Sequence, residues 1–146
     1  MNKNEQMKHY YQRCDELLLK ENLKNLLHKA KEEVEEIEVN EIDLENMILI
    51  DVREEDEFAS GIIPAKTVLT IPRGKIEFVA NDKIAPLSEK EIVCYCLKGA
   101  RGLLAAKALN DLGIKAKNLK GGIEAWVKEG KTIKNYLGEF ILKGQK

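Results

Sequence analysis

The run Cys96-Leu97-Lys98-Gly99-Ala100-Arg101 joins an apolar, strand-like stretch from Ile92 to Tyr95 to a helix-like stretch from Arg101 to Leu112. A thiol at such a strand-to-helix turn meets converging backbone N–H groups and the positive end of a helix dipole, both of which favour thiolate over thiol. Free thiols titrate near pH ~8.5 and fall to roughly 3.5–7.5 at helix N-termini or beside cationic side chains. Lys98 and Arg101 supply those cations. The expectation is a reactive, acidic nucleophile that binds anions, with the N–H groups from Leu97 to Arg101 forming a nest and Gly99 allowing the tight turn. Burial as a structural thiol is the competing reading, and it fits Cys94, which lies inside the apolar run. It fits Cys96 poorly, because Lys98, Gly99 and Arg101 are not core residues.

The elements that must hold this loop alternate. Leu19, Leu23, Leu27, Ala30, Val34 and Ile37 recur at spacings of four or three, which predicts a helix from about Asn4 to Ile37 with one apolar stripe. The stripe is expected to pack on its own domain, with a twin subunit, and so a homodimer through this helix, as the alternative. From Glu38 the pattern becomes short strands and short helices. Asn40 is read as the cap of a turn over Glu41 to Asn46, and Met47 to Val52 as a fully buried strand of a parallel sheet. Glu54 to Ser60 reads as helix, Thr67 to Ile71 as strand, Gly74 to Ala80 as helix, and Asn81 to Lys90 as loop. After the Cys96 loop and its helix come a strand within Lys115 to Lys120, a helix carrying Ile123 and Trp126, and a tail, Lys131 to Leu142, read as helical. Strand alternating with helix predicts an α/β domain with a largely parallel sheet, in which ligands bind at the carboxyl ends of strands. Cys96 falls at such an end.

The division expected is residues 1–37 as an N-terminal helical extension, 38–130 as the α/β domain and 131–146 as a C-terminal tail. A chain of 146 residues, 44% hydrophobic and 34% charged, suffices for one core without disulfide staples. Three cysteines and a charged start from Met1 to Glu16, with no apolar segment of membrane-spanning length, read as a cytoplasmic protein in a reducing compartment. A net charge of −1 gives no footprint for nucleic acid. Both histidines, His9 and His28, lie far from Cys96 in sequence, so no metal-ligand spacing arises and no cofactor is implied.

Five separated segments together resemble the rhodanese-homology domain over about Glu38 to Gly130. They are Leu49-Ile50-Asp51-Val52-Arg53 with Glu57 and Phe58, Gly61-Ile62-Ile63-Pro64-Ala65, Ile71-Pro72-Arg73-Gly74, the Cys96 loop, and Gly121-Gly122-Ile123-Glu124-Ala125-Trp126. The resemblance implies a five-stranded sheet flanked by helices, with Cys96 carrying a persulfide. Sulfane sulfur would pass from thiosulfate or polysulfide, a small anionic donor, to a thiol, a protein acceptor or cyanide. The N-terminal helix and the Pro72 to Glu77 run also resemble single-domain polysulfide sulfurtransferases. Two positions depart from the family pattern: Ile62 stands where His is frequent, and Gly102 where Ser is frequent. Leu97, Lys98, Gly99, Ala100 and Arg101 are the expected cradle. Asp51 and Arg53 are expected to pair and support the loop, and Arg73 is either a second rim cation or a solvated side chain.

The rivals are a cysteine phosphatase or arsenate reductase, and a non-catalytic binding or redox-sensing module. Four residues separate Cys96 from Arg101, one fewer than in the phosphatase signature, and the smaller ring suits a sulfur atom better than a tetrahedral oxyanion.

Overall fold

The protein is described by a computed structural model covering residues 20–142. Two strands, β2 (Ile48–Asp51) and β4 (Ile92–Tyr95), are buried at every position and therefore need cover on both faces. They pair in parallel, Leu49 opposite Val93, and the sheet extends outward to β3 (Thr67–Thr70) on one side and β5 (Ala116–Leu119) and β1 (Glu36–Ile37) on the other. The order is β1-β5-β4-β2-β3, all parallel, as the alternating pattern required.

Successive side chains point to opposite faces of a strand, and the two cores follow that alternation. Ile48, Ile50, Val52, Ile92, Cys94 and Cys96 pack with Ala30 of α1 (residues 20–33) and Val34 just after it, Ile76 of α3 (Ile76–Val79) and Leu103 and Leu109 of α4 (Ala100–Asp111). Leu49, Val93 and Tyr95 pack with Ile123 and Trp126 of α5 (Gly122–Lys128) and Ile133. The remaining helix, α2 (Glu55–Ser60), follows β2. Among the described residues, no helix is long and apolar enough to cross a membrane.

Several local expectations change. The N-terminal helix ends at residue 33 and Ile37 lies in β1, because Glu35 O and Ile37 O accept the N–H groups of Asn118 on β5 and of Lys120 just after it. Ladder bonds to a buried neighbour outweigh the helical spacing of Val34 and Ile37. The part of that helix before residue 20, with Leu19 and Cys14, lies outside the described residues. The apolar stripe is covered only at its C-terminal half: Ala30, Val34 and Ile37 are buried, whereas Leu27 is half-buried and Leu23 exposed. Asn40 does not cap; Glu38 does, exchanging bonds with Glu41 around a 3-10 turn at Val39–Glu41. The stretch read as a loop from Asn81 is mostly helical turn as far as Leu87, with Ile84 buried against the sheet.

The tail is not a helix. It forms a hairpin, β6 (Ile133–Asn135) with β7 (Gly138–Phe140), whose two-residue turn is held by the Leu137 N–H donating to Asn135 Oδ1 at 2.8 Å. Trp126 Nε1–H donates to Thr132 O at 2.7 Å, and Ile62 bridges to Lys134, so the hairpin is fastened to both α5 and the segment after α2.

The half-covered stripe predicts unequal costs along it. Ile37→Ala should lower the unfolding free energy by about 2–5 kcal/mol, while Leu23→Ala should change it by less than about 0.5 kcal/mol, both read from urea denaturation.

Candidate active site

Cys96 follows the last residue of β4, where the chain leaves the sheet at its carboxyl end and turns into α4. The turn is possible because Gly99, the residue before the helix, adopts φ +123°, a conformation that favours glycine. Its N–H donates to Cys96 Sγ at 3.1 Å. The carbonyl side of the loop faces α5: Ile123 N–H donates to Cys96 O at 2.8 Å and Glu124 N–H to Leu97 O at 3.0 Å. With those carbonyls turned to α5, the N–H groups of Lys98, Ala100 and Arg101 meet no protein acceptor among the described residues. The loop is thus a ring of donors around a sulfur atom, the arrangement that stabilises an anion.

Gly122 makes this contact possible. Its φ is +63°, and a Cβ there would overlap Cys96 O and Leu97 O. The sequence marked Gly121-Gly122 as a turn and gave no sign that the turn packs on the cysteine loop.

Asn118 is a second residue that sequence reasoning passed over. It is fully buried on β5, and its Nδ2 donates to Gly99 O at 3.2 Å and to Glu36 Oε2 at 3.0 Å. A polar side chain within a buried strand was the available signal. Asn118 also accounts for Gly102: a Cβ at that position would overlap Asn118 Oδ1, leaving no room for the serine that is frequent there.

Asp51 and Arg53 are both buried and pair as expected. Arg53 Nε donates to Asp51 Oδ1 at 3.0 Å, Nη2 donates to Oδ2 at 2.7 Å, and Nη2 also reaches Gly61 O at 2.6 Å. Burial works against the guanidinium charge, but the Asp51 carboxylate outweighs it and holds Arg53 above its ordinary pKa. Tyr95 completes the support by accepting the Ile63 N–H at 3.1 Å, while burial pushes its phenol well up. Neither Asp51 nor Arg53 bonds Cys96, so their part is to brace the strand ends.

Arg101 is not a free cation. Nη1 and Nη2 grip Glu57 Oε1 and Oε2 at 2.6 and 3.0 Å. That two-pronged bond draws the Glu57 carboxyl down to about 2. Glu57 Oε1 also accepts the Glu54 N–H at 3.0 Å, capping α2, so one carboxylate fastens α2 to the first turn of α4. No sequence spacing announces this partner, which lies 44 residues away. Arg73 likewise pairs, with Glu77 at 2.7 Å. Lys98 is exposed and, among the described residues, has no carboxylate at ion-pair distance. Cys94 is fully buried, and burial pushes its thiol up to about 12, so it is a structural residue. Beside Leu97, a cleft of about 340 Å³ has mixed walls, with Ile123, Val127 and Ile133 facing Arg53, Glu124 and Lys128.

A parallel α/β sheet with a cysteine in an N–H-lined loop at a strand end defines a class, and comparison with known proteins gives the family. The profile of the Rhodanese-like domain matches residues 21–129, and the chain belongs to that family. It is 38% identical over 88 residues to YtwF of Bacillus subtilis, named as a sulfurtransferase, covering 60% of this chain and 79% of that one. It is 35% identical over 92 residues to a sulfurtransferase of Allochromatium vinosum, covering 62% and 81%. Among solved structures, a Rhodopseudomonas palustris protein of unknown function, described as a possible tyrosine phosphatase, superposes with a TM-score of 0.65 at 27% identity, covering 77% and 93%. The named relatives support a sulfurtransferase activity.

Two predictions follow from the loop's supports. Gly130 also has positive φ but faces open space, so Gly130→Ala should cost about 1–2 kcal/mol from backbone strain alone. Gly122→Ala should cost about 1–3 kcal/mol beyond that, because the loop carbonyls must move, and should shift the amide resonances of residues 96–101. For Glu57, the folded pKa of about 2 lies below the ordinary carboxylate value, so its stabilisation is complete above about pH 4.5 and lost as the pH falls towards 2. The stability gap between the wild type and Glu57→Gln should therefore narrow across that window in urea titrations.

Proposed function

We propose that the chain transfers sulfane sulfur from thiosulfate or polysulfide to a thiol or cyanide-type acceptor through a persulfide on Cys96. The observation that carries this reading is the Gly99 N–H at 3.1 Å from Cys96 Sγ, within a loop whose neighbouring N–H groups are unclaimed. The Cys96 thiolate attacks the outer sulfur of thiosulfate, the S–S bond breaks, and its electron pair leaves on sulfite. The terminal sulfur of the persulfide then lies among the loop donors, where its charge is stabilised without a bulky pocket. An acceptor nucleophile attacks that sulfur, and the Cys96 thiolate departs unchanged. No net oxidant or reductant is consumed. Lys98, exposed at the loop, attracts the anionic donor; Arg101, tied to Glu57, holds the loop's shape.

Phosphomonoester hydrolysis is the rival on this architecture. Four residues between Cys96 and Arg101 leave a small ring, and the Arg101 guanidinium is already committed to a carboxylate, so no side-chain clamp faces a phosphate.

Incubation with thiosulfate should add about +32 Da, one sulfur, to the peptide carrying Cys96. Thiocyanate should form when cyanide is added, with no phosphate released from a generic phosphate ester. Cys96→Ser should abolish both the adduct and the thiocyanate, while Cys94→Ser retains most of the turnover. An adduct chiefly on Cys94 or Cys14, or phosphate release that requires Cys96, would overturn the reading.

A further inference from the structure

A second cleft, of about 450 Å³, lies between α1 and the cysteine loop. Lys24, Leu27, His28 and Lys31 share one face of α1 along its near wall, and the opposite wall is built from Lys98, Gly99 and Ala100 of the loop with Lys120 beside them. Leu27 and Leu103 give it an apolar lining. The chain as a whole carries a net charge of −1, yet this cleft gathers four lysines against the single carboxylate of Glu36. That carboxylate is engaged, accepting from Asn118 Nδ2 at 3.0 Å. Among the described residues Lys24, Lys31 and Lys98 have no carboxylate at ion-pair distance, and Lys120 reaches Glu38 only at 3.8 Å with both side chains mostly exposed.

We propose that this cleft docks an acidic, partly apolar segment of the protein that accepts sulfur. The proposal rests on the sulfurtransferase reading for its purpose and on the charge of the cleft for its chemistry. Cations spaced along a helix face from Lys24 to Lys31, about 10 Å at 1.5 Å per residue, suit an extended polyanion better than one small ion. Leu27 and Leu103, which give the cleft its apolar surface, would be left uncovered by a chain of carboxylates alone. Cys96 is only 2% exposed, so an acceptor thiol has to be delivered at the loop with a defined approach. A segment held against Lys98 and Gly99 brings its own thiol to that point as an intramolecular neighbour. The cleft thus selects the partner by charge, and the cradle carries out the transfer.

The test uses the full chain and two short peptides, one of alternating Glu and Leu and one of alternating Lys and Leu, each with and without a terminal cysteine. Fluorescence anisotropy with the cysteine-free peptides reads docking, and thiocyanate formation with cyanide reads the chemistry separately. The Glu/Leu peptide should bind and the Lys/Leu peptide should not. The double charge reversal K24E/K31E lies outside the loop; it should weaken Glu/Leu binding about tenfold, with an effect that shrinks in high salt, and leave thiocyanate formation unchanged. Persulfide transfer to the cysteine-bearing Glu/Leu peptide should fall in parallel. Equal binding of the two peptides, indifference to K24E/K31E, or displacement of the Glu/Leu peptide by equimolar ATP, which would mark a small-polyanion site, each overturns the proposal. Selective docking without any thiocyanate formation would uphold the cleft and overturn the sulfur chemistry instead.

Discussion

Two hydrogen bonds from the first turn of α5 to the carbonyls of Cys96 and Leu97 set the polarity of the whole loop. A six-residue turn has donors and acceptors in equal number, and unless one set is bound elsewhere the ring has no net preference for an anion. By taking the carbonyls, α5 leaves the N–H groups for the sulfur. Everything else at the site serves that partition. Gly122 lets α5 come close enough, Gly99 allows the chain to turn back, and Asn118 takes the Gly99 carbonyl from below.

The strand ends beneath are kept in place by charge that is already neutralised. Asp51 and Arg53 are buried together with multiple bonds between them, the condition under which an interior ion pair is tolerated. Arg53 extends that bracing to Gly61, and Tyr95 extends it to Ile63. On the α4 side the Glu57–Arg101 pair does the same between helices. The cysteine loop is thereby anchored on three sides, by β2, α2 and α5, and Lys98 remains as the exposed cation of the ring.

The sheet and the strand-end loop that carries Cys96 were legible because their signals are local. Buried runs such as Ile48 to Asp51 and Ile92 to Tyr95 admit little but a parallel strand, and a cysteine followed by Lys, Gly and Arg at a strand end is unusual chemistry for a core. What was not legible depends on partners distant in sequence. Arg101 read as a free cation because Glu57 is 44 residues away, and Gly122 read as an ordinary turn because its neighbour is the loop backbone. Ile37 has helical spacing from Val34 yet joins the sheet, since an edge position beside β5 offers bonds that a helix end lacks. The tail fails for a related reason: Asn135 and Gly138 favour a tight hairpin turn, a signal weaker in isolation than the helix-compatible residues around it.

Cys94 lies on β4 two residues before Cys96 and in the same core cluster, yet burial pushes its thiol up to about 12. A thiol that stays protonated is no nucleophile, so sulfur loaded onto Cys96 has no competing destination at its nearest thiol neighbour. Under the proposed chemistry this makes the loop a one-way store. Attack by Cys94 on the inner sulfur, which would form an internal disulfide and expel the loaded sulfur as hydrosulfide, is disfavoured while Cys94 stays protonated, and the persulfide waits for an attacking group from outside. The lifetime of the loaded state is then set by which acceptors can approach the loop, and selectivity comes from access as much as from reactivity.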